Sequence, residues 1–128
     1  MDTPAMKPAT VLVVDDDALI NIGTVDMVQD LGYRAVEAYS GSEALDILAR
    51  NSEVGVIITD YAMPGMTGLE LADRARALRP GLPVLLATGY GELPNGDVSD
   101  LPRLTKPFQQ ADLVTYLKSV LAGAGPGA

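Results

Sequence analysis

The stretch Val54–Thr59 reads VGVIIT and runs directly into Asp60-Tyr61-Ala62-Met63-Pro64-Gly65. A short apolar run rich in β-branched residues, stopped by a Pro/Gly loop, is the pattern of a strand buried on both faces. Two further runs repeat it: Thr10–Val14 (TVLVV) upstream and Pro83–Ala87 (PVLLA) downstream. Helical patterns separate them. Doubly buried strands that alternate with helices call for a parallel sheet covered on both sides, so an α/β doubly wound fold is expected.

Upstream of the central run, Asp17 to Leu31 carries Ile20, Val25, Met27, Val28 and Leu31 on an imperfect helical stripe that Gly32 ends. Arg34–Ala38 is a short, weaker strand. Ser40 suits the N-cap of a helix over Gly41–Arg50, with Glu43 completing a capping box and Ala44, Leu45 and Leu48 on its inner face. Downstream, a helix is expected over Leu69–Leu78, a short strand over Leu101–Thr105 and an amphipathic helix over Gln109–Leu121. The segment Gly89–Asp100 is different. Gly91 and Gly96 cost roughly 1 kcal/mol each inside a helix and Pro94 about 3. It is expected to be the most mobile internal segment. Residues 1–9 read as a flexible lead, 10–122 as one domain and 123–128 as a flexible tail.

The 128 residues suit one hydrophobic core. There is no cysteine and no histidine, which excludes disulfides, thiolate or imidazole metal sites and histidine-based catalysis. Any metal must be held through oxygen, as Mg²⁺, Mn²⁺ or Ca²⁺ are. The net charge of −8 argues against a nucleic-acid surface. No apolar run approaches the ~20 residues that cross a bilayer. Nor does Met1–Thr10 resemble a signal peptide. A cytoplasmic protein without membrane association is expected.

The strand ends carry the chemistry. The first buried run ends in Asp15-Asp16-Asp17, the next in Asp60, the next in Thr88, and the last short strand in Lys106-Pro107. In a parallel sheet these ends share one edge, where such folds place their crevice. Taken singly, the aspartates read as helix caps or turn residues, Thr88 as a cap and Lys106 as a solvated lysine. Together they suggest a hard cation and a phosphoryl group. Clustered carboxylates repel unless a cation sits among them. A carboxylate can act as nucleophile to give an aspartyl phosphate. A lysine and a cation offset the charge of the transferring group, and a threonine hydroxyl can donate to one of its oxygens.

VLVVDDD, IITDYAMPGMTGLEL, LLATGYG and LTKPF resemble the motifs of two-component response-regulator receiver domains, over about residues 10–122. The resemblance implies a five-stranded parallel sheet of flavodoxin-like order 2-1-3-4-5 with helices on both faces. It implies that Asp60 is the phosphoacceptor, with Thr88 and Lys106 contacting the phosphoryl group. It also implies that Mg²⁺, with Mn²⁺ as an alternative, is held by Asp15, Asp16, Asp60 and the backbone carbonyl of Ala62. Asp16 is the expected direct ligand of the acidic pair. Pro107 would follow a cis bond. The partner would be a histidine kinase or histidine phosphotransfer protein, and the output a change in binding to a further protein. Ala62 and Tyr90 stand where the family tunes hydrolysis, which is expected to be slow here. One departure concerns the switch: Arg103 stands where receivers commonly carry an aromatic residue. Two readings of Gly89–Asp100 stand side by side: an order–disorder change through Thr88 that replaces the ring rotation, or a surface loop with no switching role.

A receiver phosphorylates and dephosphorylates itself without turning over a separate substrate, so it is not an enzyme in the usual sense. A haloacid-dehalogenase-type phosphatase would need a second acid two residues after the nucleophile, where Ala62 stands. A pseudo-receiver would not need the full set of Asp15, Asp16, Asp60, Thr88 and Lys106. A flavin module would need a Ser/Thr-rich phosphate loop after the first strand. With the resemblance ending near residue 122, the expectation is either a single-domain regulator or a receiver cut from a larger protein.

Overall fold

The computed structural model describes residues 9–89 and 101–121. In chain order the elements are β1 (Thr10–Val14), α1 (Ala18–Asp30), β2 (Arg34–Ala38), α2 (Gly41–Arg50), β3 (Val54–Asp60), α3 (Gly68–Leu78), β4 (Val84–Thr88), β5 (Arg103–Thr105) and α4 (Gln110–Leu121). The five strands form one sheet in the order β2-β1-β3-β4-β5, with every pair parallel. The doubly wound architecture expected from the alternation of runs is therefore the observed one. The expectations for Tyr90–Asp100 and for both chain ends lie outside the described residues.

Strand periodicity explains the two-sided core. Successive side chains point to opposite faces of a sheet. Leu12, Val14, Ile57 and Leu86 pack on one face with Ala44 and Leu48 of α2 and Leu71, Ala72 and Ala75 of α3. Their neighbours Val11, Val13, Val56, Ile58, Leu85 and Ala87 pack on the other with Val28 of α1 and Leu113, Leu117 and Leu121 of α4. Arg79 ties the layers together: its guanidinium donates to the carbonyls of Val54 at 2.8 Å and Asn51 at 2.6 Å, joining the end of α2 to the start of β3.

The boundaries differ from expectation in instructive places. β3 and β4 each run one residue further, so Asp60 and Thr88 are the last residues of their strands. β5 begins at Arg103 rather than Leu101. Pro102 has no N–H to give the ladder, although its carbonyl still accepts from Leu86 N at 3.0 Å. α1 begins at Ala18 because Asp17 is its N-cap, accepting from the N–H groups of Leu19 and Ile20. α3 begins one residue before the expected Leu69, capped by Thr67 in a reciprocal box with Glu70.

The inner face of α1 needs the largest correction. The expected stripe of Ile20, Val25, Met27, Val28 and Leu31 is only partly the buried face. Val28 is fully buried and Val25, Met27 and Leu31 pack partly, but Ile20 is exposed and the buried positions in the first half are Asn21 and Thr24. The reason is position. The start of α1 lies over the ends of β1 and β2, where backbone carbonyls need donors.

Candidate functional site

β1 and β3 run side by side in the middle of the sheet and finish at one edge. Val14 is opposite Thr59, so Asp15, which follows β1, stands beside Asp60, which ends β3. One strand further, Asp60 is opposite Ala87, which places Thr88 at the same edge. Thr88 in turn is opposite Thr105, so Lys106 leaves β5 there. The backbone N–H of Lys106 donates to the Thr88 carbonyl at 2.8 Å, and the Lys106–Pro107 peptide is cis.

The side chains converge as the strand ends do. Asp15, Asp16 and Asp60 each offer a carboxylate oxygen, and these oxygens all lie within 4.8 Å of one another. The Lys106 ammonium is 2.8 Å from Asp15 Oδ2 and 3.2 Å from Asp60 Oδ1. Asp15 Oδ1 accepts from the Asp17 N–H at 2.9 Å. Asp15 is buried, Asp60 partly buried and Asp16 exposed, so the cluster is closed beneath and open at Asp16.

Residues 11–118 match the family model of the response regulator receiver domain. The chain belongs to that family. It is 31% identical to the response regulator receiver protein CpdR of Brucella abortus, covering 89% of this chain and 98% of that one. It is 35% identical to the sensor kinase CckA of the same organism over 88% of this chain, but that match spans only 12% of the kinase. Among solved structures, the chemotaxis response regulator CheY4 of Vibrio cholerae superposes with a TM-score of 0.77. It is 34% identical, with 90% of this chain and 100% of that one covered. The chain is thus a receiver domain, a phosphoacceptor module of two-component and phosphorelay signalling.

The electrostatics of the receiver site follow from its burial. Burial raises the Asp60 carboxyl above its usual range. The Lys106 charge opposes that rise and the Asp15 charge reinforces it, and the net effect is upward. For Lys106, burial by itself favours the neutral amine. The hydrogen bond to Asp15 and the charges of Asp60 and Asp15 outweigh it, so the ammonium is held above its usual value. Carboxylates outnumber ammonium groups here, and every candidate ligand atom is oxygen. That donor set fits a hard cation such as Mg²⁺. A bound cation would supply positive charge against the phosphoryl oxygens.

The expected residues divide by position. Asp15, Asp16, Asp60 and Lys106 are brought together directly. Thr88 is buried at the same edge, and Ala62 is exposed in the loop two residues beyond Asp60. Arg103 opens β5 from an exposed position opposite Leu86, outside the cluster. Tyr90 lies outside the described residues.

Residues that shape the Asp60 backbone were not read from the sequence. Thr59 Oγ1 donates to the Asp60 carbonyl at 3.0 Å. Gly68 donates its N–H to the Tyr61 carbonyl at 2.8 Å, and a Cβ there would stand 2.4 Å from the Asp60 carbonyl oxygen. The first turn of α3 therefore rests on the backbone of Asp60, which only glycine permits. The Thr67/Glu70 box that starts α3 is visible in the sequence and marks where this contact must fall.

Proposed function

We propose that Asp60 is the phosphoacceptor of this receiver and that Asp15, Asp16, Asp60 and the Ala62 carbonyl hold Mg²⁺. The observation that carries this reading is the meeting of three carboxylates and the Lys106 ammonium at one strand edge. A carboxylate oxygen of Asp60 attacks phosphorus in a partner's phosphohistidine. The new O–P bond forms as the N–P bond breaks, and the imidazole leaves on the partner. The donor must be external, because the chain contains no histidine. Lys106, already paired with Asp60, is placed to follow the charge that develops on the phosphoryl oxygens. The Thr88 hydroxyl, at the same edge, donates to one of those oxygens.

The partner on this reading is a histidine kinase or histidine phosphotransfer protein in the cytoplasm. The receiver catalyses its own phosphorylation and its own hydrolysis. The Ala62 side chain has no polar group to orient an attacking water, so hydrolysis is slow. Arg103 cannot act as an aromatic rotor, so the signal leaves the site by another route than ring rotation. Acetyl phosphate with Mg²⁺ is expected to add one base-labile phosphoryl group to the wild type and none to Asp60→Asn, read by intact mass. Phosphorylation of Asp60→Asn at the wild-type rate would reject the assignment.

A further inference from the structure

Asn21 is completely buried although its neighbours Ile20 and Ile22 are exposed. Its Nδ2 donates to the Ala38 carbonyl at 2.9 Å and to the Asp15 carbonyl at 3.1 Å. Ala38 closes β2 and Asp15 follows β1, so a single amide ties together the ends of two neighbouring strands. The backbone N–H of Asp15 donates to that same Ala38 carbonyl at 3.1 Å. With Asn21 included, every polar atom of Asp15 has a partner. Ala38 takes its N–H, Asn21 serves its carbonyl, the Asp17 N–H serves Oδ1 and Lys106 serves Oδ2.

The other end of the amide shows what the position is for. Asn21 Oδ1 has no hydrogen-bond partner among the described residues. A buried polar atom left in that state is costly, because it has given up its hydrogen bonds to water. A leucine of similar volume would remove that unpaired oxygen but would leave the Asp15 carbonyl without its side-chain donor. The use of asparagine therefore lies in its two donated bonds: one ends on the Asp15 carbonyl, in the backbone that carries the acidic pair, and the other on the Ala38 carbonyl that also accepts from the Asp15 N–H.

We infer that Asn21 is a positioning residue for the metal-binding loop. Its amide fixes the Asp15 backbone and thereby sets where the Asp15 and Asp16 carboxylates stand relative to Asp60. The inference rests on the reading of this cluster as a Mg²⁺ site. The backbone is the route of action: Asn21 touches no carboxylate itself, so its removal lets the loop shift while leaving all three acids and Lys106 in the chain.

The test is a Mg²⁺ titration of the full chain, followed by ¹⁵N amide shifts of Asp15, Asp16 and Asp60, with urea unfolding of the same samples. The proteins are the wild type, Asn21→Leu and Asn21→Ser. Asn21→Leu is expected to weaken Mg²⁺ binding about tenfold, the low end of what loss of an outer supporting bond costs. In metal-free protein it is expected to move the Asp15 and Asp17 amide resonances, while the urea midpoint changes little. Should Asn21→Leu fail to fold, Asn21→Ser keeps one shorter donor and carries the same test with a smaller expected loss. A lowered urea midpoint with Mg²⁺ affinity within twofold of wild type would make Asn21 a packing residue and overturn the inference alone. A wild type whose Asp15, Asp16 and Asp60 amides do not respond to Mg²⁺ would overturn the reading of the cluster and this inference with it.

Discussion

Helix α2 buries Gly41, Ala44 and Leu48 and turns Ser42, Glu43, Asp46 and Arg50 to water. Helix α1 does nearly the reverse at its start, burying Asn21 and Thr24 while Leu19 and Ile22 stand exposed. Both helices lie against the same sheet, but on opposite faces and with different duties. α2 only has to cover Leu12, Val14 and Ile57, so its buried face is apolar and its periodicity is clear. The start of α1 must also serve the carbonyls at the ends of β1 and β2, so its buried face is polar there. A helix that only packs can be found from its stripe. One that supports a site hides part of its stripe.

The sharpest way to break this comparison is to truncate one leucine on each helix. Leu48→Ala is expected to destabilise the fold by about 2–5 kcal/mol, because a fully packed leucine leaves a cavity. Leu19→Ala, at a side chain 82% exposed, is expected to stay within about 0.5 kcal/mol of wild type. Urea unfolding measures both. Equal losses would mean that the apolar side chains of early α1 are core after all.

A smaller effect concerns the start of α2. Ser40 accepts from the Glu43 N–H at 3.0 Å, and Glu43 in turn accepts from the Tyr39 N–H at 2.7 Å. Ser40→Ala is expected to cost about 1 kcal/mol without altering Mg²⁺ affinity. A changed Mg²⁺ affinity would show that α2 also sets the site, and the contrast between the helices would fail.

The smallest expected effect is at the same junction. The Tyr39 hydroxyl donates to Glu37 Oε2, and that bond, with burial and the nearby charges of Glu37 and Glu43, raises the phenol above its ordinary value. The folded state therefore holds this proton more tightly than the unfolded chain. The associated stability is present below the ordinary phenol pKa and is lost as pH rises through the folded value. Tyrosine ring NMR should place the Tyr39 titration above the ordinary value in the wild type and lower in Glu37→Gln. An identical titration in both would remove the hydrogen bond from the account.

How much could be read in advance follows the same division. VGVIIT, TVLVV and PVLLA announce doubly buried strands because such strands have no polar face to confuse the pattern. Asp17 shows the limit of reading a cluster by residue type. It sits in line with Asp15 and Asp16, but its side chain caps α1 while Asp15 pairs with Lys106. Nothing in the local pattern sets Gly68 apart, although its missing Cβ is what lets α3 rest on Asp60.

The sequence alone determined the strand–helix alternation, the parallel sheet and the set of residues at its carboxyl edge. Those follow from local periodicity and from the rule that parallel strands end together. Only the tertiary structure decided that Asn21 rather than Ile20 faces inward, that Gly68 leaves room for the Asp60 carbonyl, and that Lys106 spans Asp15 and Asp60. Each of these is a match between a donor or a gap on one element and a backbone carbonyl or carboxylate on another. Local sequence carries the pattern of apolar side chains. It does not carry the positions of backbone carbonyls contributed by distant strands, and those positions decide which polar residues can be buried.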